Sequence, residues 1–386
     1  MLPNPPMGMA GIMTSFIDKI WQLKKRNKPI LGCMPLYPPL ELFHSMGIIP
    51  LVLWGLRGMV AGTPHSDRHL QNYACSVARN LTEFVLSESG KLLDGLFMYN
   101  ACDTLRNLPE ILECGIRESG KDLLPIMKMH LPAVSSEQSP SGIDYIKNEV
   151  YTLIQELQKE FGVSFSAERF KESAALYREM RRLASEADRL VAAGLISFLD
   201  YQKWSVDGCF SSVEDQIVSI QSLMKGMCQQ SRGAIQAADA GVILSGILPP
   251  PTAVTEFFEK SGIRIIGNDI AMMHRSFAYT PERDDDPVEY YLDFYRKHFP
   301  CTTLLSKSDE RIIAIENLVR DRKARGFVFI GEKFCEYEYF EIPYMEKYLN
   351  NRGIRTLRLE LSIEDIEPAA MKTMIEAFAE MLISAS

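Results

Sequence analysis

The sequence predicts an α/β fold of two Rossmann-like units, each built on a roughly four-stranded parallel sheet, joined by a helical segment. Three observations carry this prediction. Continuous apolar runs of four to six residues alternate with helical stretches, which is the pattern of a parallel sheet covered on both faces. The alternation occurs twice, on the scale of a fold rather than of a short repeat. Between the two occurrences lies a long stretch of helical periodicity without a strand signal.

Taken in order, residues 13–26 read as a leading amphipathic helix. Strands are expected at Pro29–Gly32, Ile48–Leu53, Gly95–Met98 and Leu123–Ile126, with helices between them over Ser66–Ser89 and Leu108–Ser119. From about Ile143 to Ala237 the signal is helical. Ile146, Val150, Leu153, Ile154, Leu157 and Phe161 keep a 3.6-residue period. A second helix follows the cap-like Ser166 and carries Phe170, Met180, Leu183 and Leu190. Strands return at Gly241–Leu244, Ile263–Ile266, Phe327–Ile330 and Thr356–Leu359. Ile375, Phe378, Ala379, Leu382 and Ile383 form a final amphipathic helix. The expected domains are 1–142, an α/β domain with its leading helix; 143–237, helical; and 238–386, a second α/β domain. A cleft between the halves is expected, with the strand-end cysteines facing it.

Composition bounds the function. A chain of 386 residues, 46% hydrophobic and 24% charged, has ample material for two cores. The net charge of −8 argues against non-specific nucleic-acid binding. No apolar run reaches the length needed to cross a bilayer, and Gly241–Leu248 stops at three prolines, so no membrane association is expected. No basic n-region followed by an apolar h-region opens the sequence, so no secretory signal is expected. The eight cysteines are scattered, which suggests reduced thiols and a cytoplasmic location. Neither GxGxxG nor GxxxxGK[ST] occurs, so any ATP hydrolysis belongs to another polypeptide.

Two cysteines occupy matching places. Cys102 follows the run Asp94–Tyr99, and Cys335 follows Gly326–Ile330. Each lies just past the C-terminal end of an expected strand, the edge where open α/β sheets bind ligands. Cys75 lies on the helical stretch preceding the Cys102 strand. Three thiolates on an iron–sulfur cluster would leave one iron open to a small ligand or a substrate oxygen. The ordinary reading of a lone cysteine is a small buried hydrophobe, and no CxxC spacing favours a cluster. From spacing both readings stand. Cys33, Cys114, Cys209, Cys228 and Cys301 keep the ordinary reading. Glu41 reads either as an acid/base group or as a carboxylate favourable to a helix N-terminus. His274 and Arg275 follow the strand-end Asp269 and read as a surface pair or as contacts to a ligand phosphate.

Several blocks, in order from about Lys28 to Leu382, resemble the family of 2-hydroxyacyl-CoA dehydratases and ATP-dependent benzoyl-CoA reductases. The run Gly32-Cys33-Met34-Pro35-Leu36-Tyr37-Pro38-Pro39-Leu40-Glu41-Leu42, followed by Met46–Pro50 and Trp54-Gly55, is similar to its N-terminal Pro-x-Glu-Leu block. Cys102-Asp103-Thr104-Leu105-Arg106-Asn107-Leu108 is similar to its Cys-Asp block. Gly241–Gly246, Gly262–Gly267 and Asp269 are similar to its central block. Lys333-Phe334-Cys335, Glu341-Ile342-Pro343 and Thr373–Phe378 are similar to its C-terminal block.

The resemblance implies a [4Fe–4S] cluster on three cysteines, which fall on Cys75, Cys102 and Cys335. It implies a heterodimer with a homologous large subunit and a separate ATP-dependent iron–sulfur activator that injects one electron. In the dehydratases that electron makes a ketyl radical anion of the acyl-CoA thioester, so that the hydroxyl can leave. In the reductases electrons enter an aromatic ring. Leu36 stands where a serine is found in the catalytic-type subunit of the dehydratases, and the Gly-Cys-x-Pro-x-Tyr-x-Pro run is closer to the relay-type subunit. Met374 stands where the family usually has an arginine. The expected function is the iron–sulfur subunit of a radical 2-hydroxyacyl-CoA dehydratase, a hydro-lyase acting on an acyl-CoA substrate. The alternatives are a subunit of a benzoyl-CoA-type reductase or a stand-alone iron–sulfur electron-transfer protein.

Overall fold

The computed structural model describes residues 12–34, 36–56, 59–60, 62–132, 139–226, 240–301, 303, 308–362 and 368–384. The chain divides into two compact units. The first comprises 1–177, 207–213 and 281–296; the second comprises 178–206, 214–280 and 297–386.

In the first unit, helix α1 (Ile12–Lys24) leads into β1 (Ile30–Met34), α2 (Leu40–Ser45) and β2 (Ile49–Val52). Helix α3 (Ser76–Leu86), β3 (Gly95–Tyr99), α4 (Asp103–Glu118) and β4 (Ile126–Met129) follow. The four strands are all parallel, in the order β2-β1-β3-β4. Every residue of β1 and β3 is buried, whereas β2 and β4 alternate. This is what covering both faces of a sheet demands: central strands bury both sides, and edge strands keep one side wet.

Helices α5 (Pro140–Phe161), α6 (Ala167–Ala192), α7 (Phe198–Gly208) and α8 (Val213–Gly226) come next. Helix α5 starts where the Ser139 hydroxyl accepts the Gly142 N–H, with Pro140 in the first turn, and ends at Gly162 at φ +64°. It buries Ile146, Val150, Leu153 and Leu157, the stripe read from the sequence. The Arg169 N–H points to Ser166 Oγ at 3.4 Å, so the expected cap is present. The part of the expected helical stretch beyond Gly226, with Cys228, lies outside the described residues.

The second unit contains β5 (Ala240–Gly246), α9 (Thr252–Lys260), β6 (Ile263–Ile270) and a π-helical turn over Ala271–Arg275. After α10 (Pro287–Lys297), most of which belongs to the first unit, come α11 (Ser308–Asp321), β7 (Gly326–Glu332) and α12 (Glu336–Asn350). Strand β8 (Arg355–Leu361) and α13 (Pro368–Ile383) complete it. The sheet is again parallel, in the order β6-β5-β7-β8. The two units therefore share one topology, 2-1-3-4 in local numbering.

Ile243, Ile266, Ile312, Ile315, Val319, Phe327, Phe329, Ile342, Met345 and Leu349 form the core around the β7 face. Truncating either buried phenylalanine to alanine would cost about 3–5 kcal/mol, the transfer term plus a cavity. Gly246 closes β5 at φ +153°, and a Cβ there would meet the Ile330 carbonyl oxygen at 2.4 Å. Only glycine fits that strand end.

Three expected elements are displaced. The helix expected over Ser66–Ser89 is α-helical only from Ser76 to Leu86, after a 3-10 turn at Ser66–Arg68, so Cys75 caps it rather than lying within it. The strand expected at Leu123–Ile126 runs Ile126–Met129, because Pro125 has no N–H to give the ladder and offers only its carbonyl, to Leu96 N–H at 2.9 Å. The helix expected over Leu108–Ser119 begins at Asp103 and passes through Pro109. Among the described residues no helix is long and apolar enough to cross a membrane.

Candidate metal centre

In a 2-1-3-4 sheet the strand order reverses between the first and third strands, and ligands bind beyond the C-terminal ends at that point. The relevant loops follow β1 and β3 in the first unit, and β5 and β7 in the second. Cys102 follows β3 and Cys335 follows β7. The two thiols thus occupy the same topological place, each within its own unit.

All three candidate cysteines are helix N-caps. Cys75 caps α3, Cys102 caps α4 and Cys335 caps α12. An N-cap residue sits beside backbone N–H groups without helical partners, at the positive end of the helix dipole, a setting that favours an anion such as a thiolate. Cys102 Sγ accepts the Leu105 N–H at 3.4 Å. Helices α3 and α4 pack on each other, so Cys75 and Cys102 cap neighbouring helices. Phe334, just before Cys335, is held at φ +66°, a left-handed backbone that bulky residues avoid. Tyr37, in the loop after β1, has the same φ.

The other described cysteines sit differently. Cys75, Cys102 and Cys335 are half-buried, Cys33, Cys209 and Cys301 are buried, and Cys114 is exposed. Burial pushes the Cys33 thiol far above its usual range and Cys209 up to about 12, so both are inert. The Glu118 carboxylate beside Cys114 raises that thiol as well. Among the described residues no three His, Cys, Asp or Glu side chains are arranged to hold a single metal ion. A four-iron cluster is a different demand, because its thiolates stand about 6–7 Å apart. Each of the three positions has the donor chemistry of a cluster ligand, a half-buried thiol at a helix N-terminus.

Glu41 lies in the first turn of α2 and is only 1% exposed. Tyr290 donates to Oε1 at 3.0 Å and Tyr291 to Oε2 at 2.9 Å, both from α10. Tyr291 Oη also accepts the Leu42 N–H at 3.0 Å. The Leu36 carbonyl accepts from Tyr99 Oη at 2.5 Å. Both carboxylate oxygens are thus engaged by phenols, and the arrangement braces the loop after β1. The α10 tyrosines, about 250 residues distant in sequence, were not legible as partners of Glu41.

In the second unit Arg275 is not on the surface, as the sequence pairing with His274 suggested, but fully buried. It donates to the Gly246 carbonyl at 2.7 Å, the Asp269 carbonyl at 2.8 Å, Glu338 Oε1 at 3.0 Å and Cys301 Sγ at 2.9 Å. Arg311, also fully buried, donates to Asp269 Oδ2 at 3.0 Å, Glu338 Oε1 at 3.2 Å, Glu341 Oε2 at 2.7 Å and Ser245 Oγ at 3.1 Å. Burial by itself would raise the Asp269 carboxyl, but the two guanidiniums and the Ser245 hydroxyl outweigh it and hold it below its ordinary value. Sequence reading missed Arg311 and Glu338. Glu338 did carry a signal, since it stands three residues after the cap residue, the capping-box position.

The sequence model of the family described as 2-hydroxyglutaryl-CoA dehydratase, D-component, matches residues 35–382. The chain is 22% identical over 362 residues to the (R)-phenyllactyl-CoA dehydratase beta subunit of Clostridium sporogenes, covering 93% of each chain. It is 23% identical over 369 residues to the beta subunit of (R)-2-hydroxyglutaryl-CoA dehydratase of Acidaminococcus fermentans, covering 93% of this chain and 94% of the relative. It is also 23% identical to a benzoyl-CoA reductase subunit of Thauera aromatica, over 86% of this chain and 89% of the relative. The match of the family model across nearly the whole chain, on two parallel sheets of one topology, places the protein in the 2-hydroxyglutaryl-CoA dehydratase D-component family.

Proposed function

We propose that the chain is the iron–sulfur subunit of a radical 2-hydroxyacyl-CoA dehydratase, with Cys75, Cys102 and Cys335 as the ligands of a [4Fe–4S] cluster. The observation that carries this reading is the sorting of the cysteines. The three half-buried thiols are all helix N-caps, and two of them occupy the same switch-point loop of the two units. When bound, such a cluster supplies one-electron storage beside an open coordination position.

The chain's own residues would set the surroundings. The Leu105 N–H fixes Cys102 Sγ, and the Phe334 backbone turns Cys335 out of the β7 line. Glu41, locked by Tyr290 and Tyr291, braces the β1 loop rather than trading protons with a substrate. Dry surroundings guard a one-electron intermediate from side reactions.

Turnover would need partners. Leu36 replaces the serine of the catalytic-type subunit, and the sequence has no P-loop. The complete system is therefore this chain, a homologous large subunit forming a heterodimer, an ATP-dependent iron–sulfur activator and a 2-hydroxyacyl-CoA, in the cytoplasm. A benzoyl-CoA-type reductase is the second reading, favoured by the similarity to the benzoyl-CoA reductase of Thauera aromatica. The test is an anaerobic assay with all components, ATP and a strong reductant. Enoyl-CoA should form only with the full set, and air should abolish it. Ring reduction of an aryl-CoA without water elimination selects the second reading, and dehydration by this chain alone in air overturns both.

A further inference from the structure

Helix α12 carries aromatic residues where a surface helix is ordinarily polar. Its buried side holds Glu338, Ile342, Met345 and Leu349. The opposite side should be charged and polar in a helix that simply faces water. Here it presents Phe340, Pro343 and Tyr344 to solvent, with Glu336 and Lys347 at its two ends. Phe340 is 79% exposed, more than any other large hydrophobic side chain among the described residues, and Tyr344 is 58% exposed. Their spacing puts them on one stripe of the helix. Along that stripe follows Tyr348, whose ring centroid is 6.4 Å from that of Tyr344 and whose hydroxyl donates to Glu316 of α11 at 2.6 Å. Ile313, one turn before Glu316, is exposed as well, so the bare surface runs from α12 onto α11.

At a side-chain area of roughly 200 Å² apiece, Phe340 and Tyr344 together leave about 300 Å² of aromatic surface in water. A single patch of that size matches the largest on a typical monomer. It would make the apolar centre of an interface that buries about 800 Å² on each partner.

The charges around the patch indicate what covers it. Glu341 is bound by Arg311, Glu346 by Arg358 and Glu316 by Arg352, all within this chain. Glu336 and Lys347, both exposed, form no ion pair among the described residues. They stand about three turns apart and so on the same side, the acid at the N-terminal end and the base at the C-terminal end. Two such helices laid antiparallel about a twofold axis bring Glu336 of each to Lys347 of the other, and Phe340 of each to Pro343 of the other. That is the self-complementarity of an isologous contact, in which each residue of a pair meets its counterpart twice. The same two charges suit the helix dipole, but the dipole gives no reason for the aromatic residues between them.

We propose that the outer face of α12 is the surface through which the chain pairs with a second copy of itself about a twofold axis. Phe340 and Tyr344 form the apolar centre, and two symmetry-related Glu336–Lys347 ion pairs fix the antiparallel register. The pairing depends neither on the cluster nor on the reaction, and it stands apart from the heterodimer.

The test is the mass of the full, anaerobically purified chain in solution, followed by sedimentation equilibrium from nanomolar to high micromolar concentration. Wild type should reach twice the chain mass. Phe340→Asp places a charge at the centre of the contact and should raise the dimer dissociation constant at least about a hundredfold. Its circular dichroism should not change, because the side chain it replaces is exposed. Glu336→Lys and Lys347→Glu each oppose like charges twice per dimer, and each should raise the constant about tenfold. The double variant Glu336→Lys/Lys347→Glu restores both pairs with the sense reversed and should return the constant close to wild type. A monomeric wild type, a dimer untouched by Phe340→Asp, or single reversals without recovery in the double variant overturns the proposal. Adding the homologous large subunit should leave the wild-type pair intact. Conversion of the pair into one-to-one heterodimers that Phe340→Asp cannot form would assign the face to that subunit and overturn the proposal too.

Discussion

In the first unit the penultimate residue of the leading strand is Cys33, opposite Val52 on one neighbouring strand and Phe97 on the other. In the second it is Ser245, opposite Asp269 and Phe329. The positions correspond in topology and register, yet their chemistry is opposite. The Cys33 thiol is buried among apolar neighbours, whereas Ser245 Oγ donates to Asp269 at 2.8 Å and opens an ion lattice reaching Glu338. In the first unit phenols hold the buried Glu41 carboxylate; in the second guanidiniums hold Asp269 and Glu338. One backbone plan therefore accepts an apolar filling or an ionic one. The ionic one ties the ends of β5 and β6 to the first turn of α12, a tie the apolar filling of the first unit does not make at Cys33.

The largest expected break of this comparison is Arg311→Met. It leaves the buried carboxylates of Asp269 and Glu338 to Arg275 alone and should cost about 3–5 kcal/mol in chemical denaturation. A cost below about 1 kcal/mol would mean the lattice is solvated. Next comes Gly246→Ala, which meets the Ile330 carbonyl oxygen in a backbone region reserved for glycine; about 2–4 kcal/mol is expected. Gly47→Ala in the first unit, also at positive φ but with open space, should lose only about 1 kcal/mol. Tyr291→Phe removes the hydrogen bonds to Glu41 and from Leu42 N–H and should cost about 1–2 kcal/mol.

The smallest effect is one of pH. The Asp269 carboxyl lies below its unfolded value, so its contribution is present above about pH 4 and is lost as pH falls through the folded value. The stability gap between wild type and Asp269→Asn should therefore narrow on acidification below pH 4, read from urea midpoints. A gap that widens there would reverse the assigned sign.

Much of this was legible in the sequence. The four central strands announce themselves because they are apolar on both faces, and the α5 stripe follows from helical period alone. Leu123–Ile126 misled because an apolar run containing proline looks like a strand until the missing N–H is counted. The bracing of Glu41 by Tyr290 and Tyr291 was not legible, since no local pattern records a helix that returns to the first unit between two halves of the second. Arg311 gave no signal because its partners Asp269 and Glu338 lie 42 and 27 residues away in sequence. Arg275 misled because charged residues are ordinarily exposed. Cys102 and Cys335 stood out through their place after apolar runs, but the helix-cap geometry that groups them with Cys75 needed the structure.

The central claim is that the three helix-capping thiols, and not the buried ones, carry iron. The direct measurement is iron and sulfide per chain after anaerobic purification of wild type, Cys102→Ser, Cys335→Ala and the controls Cys33→Ala and Cys209→Ala. The account predicts about four of each in wild type and in the controls, and loss of most iron and of the brown colour in Cys102→Ser and Cys335→Ala. Full iron in both of the latter variants would contradict it.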